Sequence, residues 1–259
     1  MSQQVEKWRA EIKELAHVAE NEPHAAYTAF TFGVRHKWNH IMRTVPNIEH
    51  LLEPMEAAIR TEIIPALTGR HNPTDLERWL MELPPRLGGL GIPSPCKLAR
   101  FENENSRKLT DSLAHLIVNQ DPHGEIDFGA QKRIRSEISN SRLAKQKEDF
   151  QRLQEDLSPD MQRRLNMAQE IGSSNWLTAL PIKKRGFSLN KQEFTDALAL
   201  RYGWAVNGLH QHCTCGSFFN PNHAMTCKTG GFVCMRHDEV RDITAQMLGE
   251  VCRDVRIEP

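Results

Sequence analysis

Three cysteines and one histidine, all residue types that bind soft metal ions, fall within one short stretch of this sequence. They are Cys213, Cys215, His223 and Cys227. Structural zinc prefers thiolate and imidazole ligands and closes its shell with four of them. Between the two halves, Asn220-Pro221-Asn222 favours a turn. The spacing from His223 to Cys227 fits one helical turn, which lets both side chains face one ion. The stretch therefore predicts a zinc site.

Two alternatives for these residues stay open. The Cys-x-Cys spacing is tighter than the two-residue spacing usual in the first half of such sites. His212 is therefore a second candidate for the position of Cys213. The cysteines could also form a disulfide or remain reduced in a core.

Composition limits the classes of protein to consider. The 259 residues carry 33 Lys and Arg against 33 Asp and Glu, so any nucleic-acid binding must be local rather than a property of the whole chain. Six cysteines, four of them between positions 213 and 234, indicate a reduced, intracellular protein rather than a secreted disulfide scaffold. The N-terminus shows no signal peptide, and no apolar window is long enough to span a membrane.

Apolar residues recur at helical spacing along residues 1–120 and predict a helical bundle. Trp8, Trp38 and Trp79 are expected in its core. The Gly- and Pro-rich segment 83–95 interrupts the helices. It lacks the Gly-Lys-Ser/Thr ending of a phosphate loop, so we expect an ordered turn.

Residues 121–190 form a charged helical linker region in this interpretation. A long helix is predicted over 130–157, with a narrow apolar stripe. Residues 131–165 hold nine Lys or Arg against six Asp or Glu, which suits a solvated face or a nucleic-acid contact. The densest basic spot is Lys183-Lys184-Arg185, a triplet that can contact phosphates or form a surface turn.

Residues 191–259 are expected to hold a helix, the metal module and a last helix. Asn190 and Glu193 form a capping box, and Gly203 ends the helix that follows. Apolar residues from Val240 to Val251 predict the C-terminal helix. The fold class is mainly α: a helical bundle, a long charged helix and a small zinc-knuckle module with a C-terminal helix.

Several stretches together resemble one family. They are residues 23–30, 43–46, 64–67, 83–95, 176–186, 196–204, the cysteine and histidine cluster 213–227, and 228–242 with its Arg236-His237. In these stretches the chain is similar to the region downstream of the polymerase palm in reverse-transcriptase-like proteins of non-LTR retrotransposons.

The resemblance implies roles for each part. The N-terminal helices would be the thumb and connection, the cluster a zinc knuckle that contacts nucleic acid, and Arg236-His237 the start of a restriction-like endonuclease domain. The nucleus is the location implied by this family. The polymerase needs paired aspartates for its two metal ions, and no Asp-Asp pair occurs in this sequence. The strands that carry the metal ligands of the endonuclease are also expected to lie outside this chain.

The leading hypothesis is a non-catalytic nucleic-acid-binding fragment that takes DNA or RNA. Candidate contacts are Lys183, Lys184, Arg185, Lys228, Arg236 and His237. Phe218 and Phe219 could stack on bases or pack the knuckle. The alternatives are a protein-interaction remnant with a structural zinc site, and an endonuclease that uses Asp238, Glu239 or Asp242 and is completed by strands supplied elsewhere.

Overall fold

The computed structural model describes residues 2–120, 127–229 and 231–257, and it confirms the predicted mainly α fold class. Across these three ranges there is no β-strand, although an isolated antiparallel bridge joins His212 and Phe218. None of the described helices is long and apolar enough to cross a membrane. The chain divides into two compact units, Met1–Trp204 and Ala205–Pro259.

The helices follow one another with short connections. Those of the first unit are α1 Ser2–Ala19, α2 Pro23–Phe32, α3 Asn39–Thr44, α4 Glu53–Ala58, α5 Ile64–Thr68, α6 Asp75–Glu82, α7 Pro95–Val118, α8 Phe128–Glu155, α9 Pro159–Ala168, α10 Asn175–Thr178 and α11 Lys191–Tyr202. Those of the second unit are α12 Pro221–Thr226 and α13 Phe232–Gly249. Short 3-10 turns cover Val34–His36, Glu49–Leu52, Pro85–Leu87 and Lys183–Arg185, and a π turn, Ile59–Ile63, joins α4 to α5.

One hydrophobic core runs through the first unit. It contains Trp8 and Trp38 as predicted, while Trp79 packs against its edge and is only half-buried. The same core continues into later helices, through Phe150, Leu153, Leu165, Leu177, Phe194, Leu198 and Tyr202. The described part of the expected linker region, 127–190, therefore shares a core with the bundle. The division between compact units lies after Trp204, whereas the three predicted segments ended at 120 and 190.

The long charged helix of the prediction is α8. Asp127 caps it by accepting a hydrogen bond from the backbone N–H of Ala130 at 2.9 Å. Its buried residues, Phe150 and Leu153, lie in the last two turns. The earlier turns of α8 are therefore held mostly in solvent, as a narrow apolar stripe predicts.

The segment between α6 and α7 is an ordered turn buried inside the first unit. The N–H groups of Leu90 and Ile92 donate to the carbonyl of Met81 at 3.3 and 3.1 Å, which folds the chain back on α6. A Cβ atom on Gly89 would lie 1.9 Å from the carbonyl oxygen of Leu83, so only glycine fits this close approach. Gly88 has φ +91°, a conformation that side chains rarely adopt.

Side chains from four surrounding elements satisfy the carbonyl groups of this turn. The acceptors are the carbonyl oxygens of Pro85, Gly88, Leu90, Gly91 and Ile92. The donors, in that order, are Arg201, Tyr202, Tyr27, Arg35 and Arg78. Burial raises the pKa of Tyr27 far above its usual range and that of Tyr202 to about 12, so both hydroxyls keep the proton that they donate.

Replacement of Tyr27 by phenylalanine should destabilise the first unit. The hydroxyl of Tyr27 donates to the carbonyl of Leu90 at 2.7 Å, and its loss leaves a buried acceptor without this donor. Such a loss costs about 1–3 kcal/mol in the free energy of unfolding. Denaturant unfolding followed by circular dichroism measures the change.

Tyr202→Phe is the matched control for this variant. The carbonyl of Gly88 also accepts from Arg201, at 3.2 Å, and keeps that bond when the Tyr202 hydroxyl is removed. We therefore expect a smaller loss of stability than for Tyr27→Phe. Equal losses in the two variants would contradict the expectation that the second donor to Gly88 compensates for the lost hydroxyl.

Candidate metal centre and basic residues

The four predicted metal ligands meet in the second unit. Cys213, Cys215, His223 and Cys227 can each offer one ligand atom, and these atoms all lie within 4.8 Å of one another. The Sγ atoms of Cys213 and Cys227 are 3.7 Å apart, and Sγ of Cys215 lies 3.3 Å from Nε2 of His223. This Cys3His group could hold a metal ion. His212, the alternative to Cys213, is exposed and does not belong to the group.

The first half of the group is a tight turn. The N–H of Cys213 donates to the carbonyl of Ser217 at 2.9 Å, and the N–H of Phe219 donates to the carbonyl of Gln211 at 2.9 Å. Between them Gly216 has φ +86°, which favours glycine at this position. The turn brings Cys213 and Cys215 to the same side of the loop although one residue separates them.

The second half is a capped helical turn. Asn220 caps α12 by accepting from the N–H of His223 at 2.8 Å, and Pro221 occupies the first helical position. The N–H of Cys227 donates back to the carbonyl of His223 at 2.8 Å. This geometry places the His223 and Cys227 side chains one turn apart on the same face of α12, as their spacing predicts.

Two of the distances between ligand atoms are close to those expected around a tetrahedral ion. With Zn–S about 2.3 Å and Zn–N about 2.0 Å, the ligand atoms of a tetrahedral site would be roughly 3.5–3.8 Å apart. The distances of 3.7 Å between Cys213 and Cys227 and 3.3 Å between Cys215 and His223 lie close to these values. Cys213 and Cys227 are buried, His223 is half-buried and Cys215 is exposed, so one side of the group opens to solvent.

The local hydrogen bonds favour the thiolate forms of the first two cysteines. The backbone N–H of Cys215 is the main group that lowers the pKa of the Cys213 thiol, to about 7. The Ser217 side chain is the main group that lowers the pKa of Cys215. Thiolates are the metal-binding form of cysteine. Sequence reasoning did not single out Ser217, although a hydroxyl two residues after a cysteine is the kind of signal that could have done so.

The two phenylalanines of the module differ in their surroundings. Phe219 packs against His223, with ring centroids 6.3 Å apart, and against Phe232 at 5.6 Å. It holds α12 and the first turn of α13 against the loop. Phe218 is 67% exposed and is the one of the pair whose ring is available to a ligand.

Three predicted nucleic-acid contacts lie close in sequence to the metal ligands. Lys228 follows Cys227 directly and is exposed. Arg236 and His237 are exposed on α13. Arg236 donates to the carbonyl of Met225 in α12 at 3.4 Å, and His237 lies 3.6 Å from a carboxylate oxygen of Asp238.

The triplet Lys183-Lys184-Arg185 belongs to the first unit and forms an exposed 3-10 turn. Lys183 makes an ion pair with Glu22 at 2.8 Å. Buried His24 fixes the chain on both sides of the turn, because Nδ1 accepts from the N–H of Leu189 at 3.1 Å and Nε2 lies 3.2 Å from the carbonyl of Ala179. Burial lowers the pKa of His24, consistent with a neutral ring that accepts at Nδ1 and donates at Nε2.

The carboxylates considered for an endonuclease are on α13. Asp238 and Asp242 both make ion pairs with Arg241, at 3.2 and 2.9 Å, and Glu239 is exposed. In the part of the chain that the structure describes, the Cys3His group is the one cluster of potential ligands close enough to hold a metal ion.

The Cys3His group should give a tetrahedral thiolate spectrum when Co²⁺ is added to the reduced protein. Cys227→Ser should remove or strongly weaken the charge-transfer and d–d bands, because it deletes a buried ligand. Cys234→Ser is the matched control, since Cys234 is an exposed free cysteine outside the group. Equal loss of the bands in both variants would contradict this assignment.

Metal binding should weaken as the pH falls through about 7. Metal ions bind the thiolate of Cys213, and below its pKa of about 7 protons compete for the same sulfur. The apparent association constant should fall by up to about tenfold per pH unit for each thiol that must release a proton. Titrations with a competing chelator on both sides of pH 7 measure how the association constant changes with pH. An association constant that does not change with pH would rule out thiolate ligation.

No family model, curated protein or solved structure matches this chain. What it can do is therefore inferred from its own residues and their geometry.

Proposed function

We propose that this chain is a nucleic-acid-binding, non-catalytic part of a retrotransposon reverse transcriptase and endonuclease protein, and that its second unit binds nucleic acid through a zinc module. The observation that carries the proposal is the convergence of Cys213, Cys215, His223 and Cys227 on one point. Three sulfur ligands and one imidazole nitrogen do not suit the hard cations, which bind oxygen ligands.

Zinc is the ion that this ligand set suits best. Three thiolates and one imidazole in tetrahedral spacing fill the shell of a structural zinc, and no ligand position is left for catalysis. Metal binding would also supply folding free energy to the second unit, on the order of 10 kcal/mol for modules of this kind. This contribution matters here because α13 has no buried residue of its own.

The charged residues around the module support nucleic acid as its ligand. Lys228 follows the end of α12 by two residues, Arg236 lies near the start of α13, and both are exposed. Phosphate contacts from such side chains supply sequence-independent affinity. The exposed ring of Phe218 offers a surface for base stacking. The triplet Lys183-Lys184-Arg185 adds a second basic site, in the first unit.

The retrotransposon origin rests on the sequence resemblance described above. The absence of an Asp-Asp pair from the sequence supports a role without polymerase chemistry. Taken together, these features favour a part that holds template or target nucleic acid while catalysis belongs to other segments of such a protein.

One observation favours a protein partner as the alternative function. Helix α13 exposes large apolar side chains, among them Met235, Val240, Met247 and Leu248. An exposed apolar helix face marks interaction surfaces more often than solvent faces. In this alternative the zinc ion holds the fold of the second unit and the ligand is another protein.

Zinc removal and added salt should both weaken the binding of nucleic acid. In fluorescence anisotropy with labelled single- and double-stranded oligonucleotides, we expect each phosphate contact to contribute a slope of about −0.7 (single strands) or −0.9 (duplex) to a plot of log K against log salt. Lys228→Gln with Arg236→Gln should reduce the magnitude of the slope by up to two contacts. A zinc chelator should remove the contribution of the second unit.

Lys7→Gln is the matched control, because Lys7 is an exposed lysine on α1 far along the chain from the module. It should leave both affinity and slope unchanged. Binding that is unaffected by salt and by the chelator would sink the nucleic-acid proposal and leave the protein-partner alternative.

A further inference from the structure

A cleft of about 580 Å³ lies between α6, α7 and α8 in the first unit. Its volume falls in the range of sites that hold organic ligands. Aromatic rings and cations share its lining, chiefly Trp79, Phe101, Lys97, Arg142, Lys145 and Arg152. All six belong to the same compact unit. The sequence pointed to the basic stretch 131–165 as a whole but not to this cleft or its aromatic residues.

Arg142 is held in place by a buried carboxylate. Glu102 on α7 is 7% exposed and accepts from Arg142 at 2.6 Å and from Arg43 at 3.0 Å. The guanidinium carbon of Arg142 also lies 5.5 Å from the ring centroid of Phe101, within cation–π distance. Arg142 keeps exposed N–H groups beyond these contacts, so its guanidinium is already oriented when a ligand binds.

Lys145 stands beside Arg142 on the same face of α8. Its ammonium lies 5.8 Å from the Phe101 ring, and its side chain is exposed. Arg152 continues the face two turns later and makes an i,i+4 ion pair with Glu148. The spacing of three and seven residues aligns these cations along the helix.

The charge of α8 is strongly asymmetric although the whole chain is neutral. Its residues 128–147 contain six Lys or Arg and a single carboxylate, that of Glu137. These turns of the helix are mostly exposed, so the cations raise the local potential instead of pairing within a core. The carboxylates that line the cleft are Glu82, which pairs with Lys97 at 2.9 Å, and Asp149.

We propose that this cleft binds single-stranded nucleic acid, with phosphates on Arg142 and Lys145 and an unstacked base against Trp79 and Phe101. This proposal rests on the proposed function only for the class of ligand, nucleic acid. It does not depend on the metal module, because the cleft and the module are in different compact units. A positively charged groove with aromatic walls is the arrangement that binds single strands without sequence preference.

The lining favours a nucleic acid over an acidic peptide. An acidic peptide would use the cations but would gain little from two aromatic side chains at the cleft wall. A nucleotide uses both, since each base has a planar face and each linkage a phosphate. In a duplex each base is paired and stacked between its neighbours, so its planar face is not free to contact Trp79 or Phe101. We therefore expect single strands to bind more tightly than a duplex of equal charge.

The test is the effect of Lys145→Glu on the binding of labelled oligothymidylate of about 20 nucleotides to the full chain, followed by fluorescence anisotropy at low salt. We expect an affinity loss of about tenfold or more, because a cation that contacts phosphate becomes a repelling charge. Lys145→Arg should keep the affinity within about threefold. Lys145 forms no salt bridge among the described residues, and its charge acts on the Glu104 carboxylate only at longer range, so the fold should survive; circular dichroism checks this.

Lys147→Glu is the matched control, with the same change of charge two residues away. A helix turns by about 100° per residue, so Lys147 points to nearly the opposite side of α8. It is exposed and does not line the cleft. We expect only a small loss, and equal losses at Lys145 and Lys147 would overturn the cleft in favour of a diffuse charge effect.

Cys227→Ser separates this proposal from the function proposed for the metal module. If Lys145→Glu weakens binding and Cys227→Ser does not, the cleft is supported and the zinc module is not the nucleic-acid site. If Cys227→Ser abolishes binding and Lys145→Glu has no effect, the cleft proposal is overturned and the zinc module stands. Displacement of the oligonucleotide by polyglutamate of equal charge, with the same dependence on Lys145, would overturn the proposal and identify the occupant as an acidic peptide.

Discussion

The first unit depends on the burial of a turn whose carbonyl groups find many of their donors in side chains from elsewhere in the unit. The segment between α6 and α7 places five carbonyl groups in the core region, and a buried acceptor without a donor costs about 1–3 kcal/mol. Tyr27, Arg35, Arg78, Arg201 and Tyr202 supply the donors, from positions as far apart in sequence as α2 and α11. Because each donor must reach a fixed carbonyl, the turn fixes the arrangement of the helices that carry them.

This constraint also explains why the expected linker region joins the bundle. The donor Arg201 and its neighbour Tyr202 are on α11, so the chain between α8 and α11 must return to the turn. Leu165 packs against Gly88 of the turn, and Leu177 and Phe194 extend the same core on the way. The second unit follows another rule. There the Cys3His group brings the loop at Cys213 and Cys215 together with α12, and Phe219 packs against Phe232 at the start of α13.

Much of the candidate metal site could be predicted from sequence because its geometry is local. The ligands span a short stretch, Asn220 and Pro221 set the start of α12, and the His-x-x-x-Cys spacing is one helical turn. The same holds for α11, whose capping box at Asn190 and whose end at Gly203 agree with the structure. The cleft of α7 and α8 was not predictable, since Glu102 and Arg142 are forty residues apart and their pairing leaves no local signal.

By itself, the sequence determined the fold class and the long charged helix, and it predicted the four residues that meet in the Cys3His group. All of these follow from short-range spacing and residue chemistry. The tertiary structure decided which of Cys213 and His212 joins the group, where the chain divides, and that the Gly-rich turn is the buried centre of hydrogen bonding. It also decided which cations of α8 face an aromatic cleft and which face solvent. These outcomes depend on contacts between residues far apart in the chain, and such contacts are set by packing and hydrogen-bond satisfaction over the whole unit.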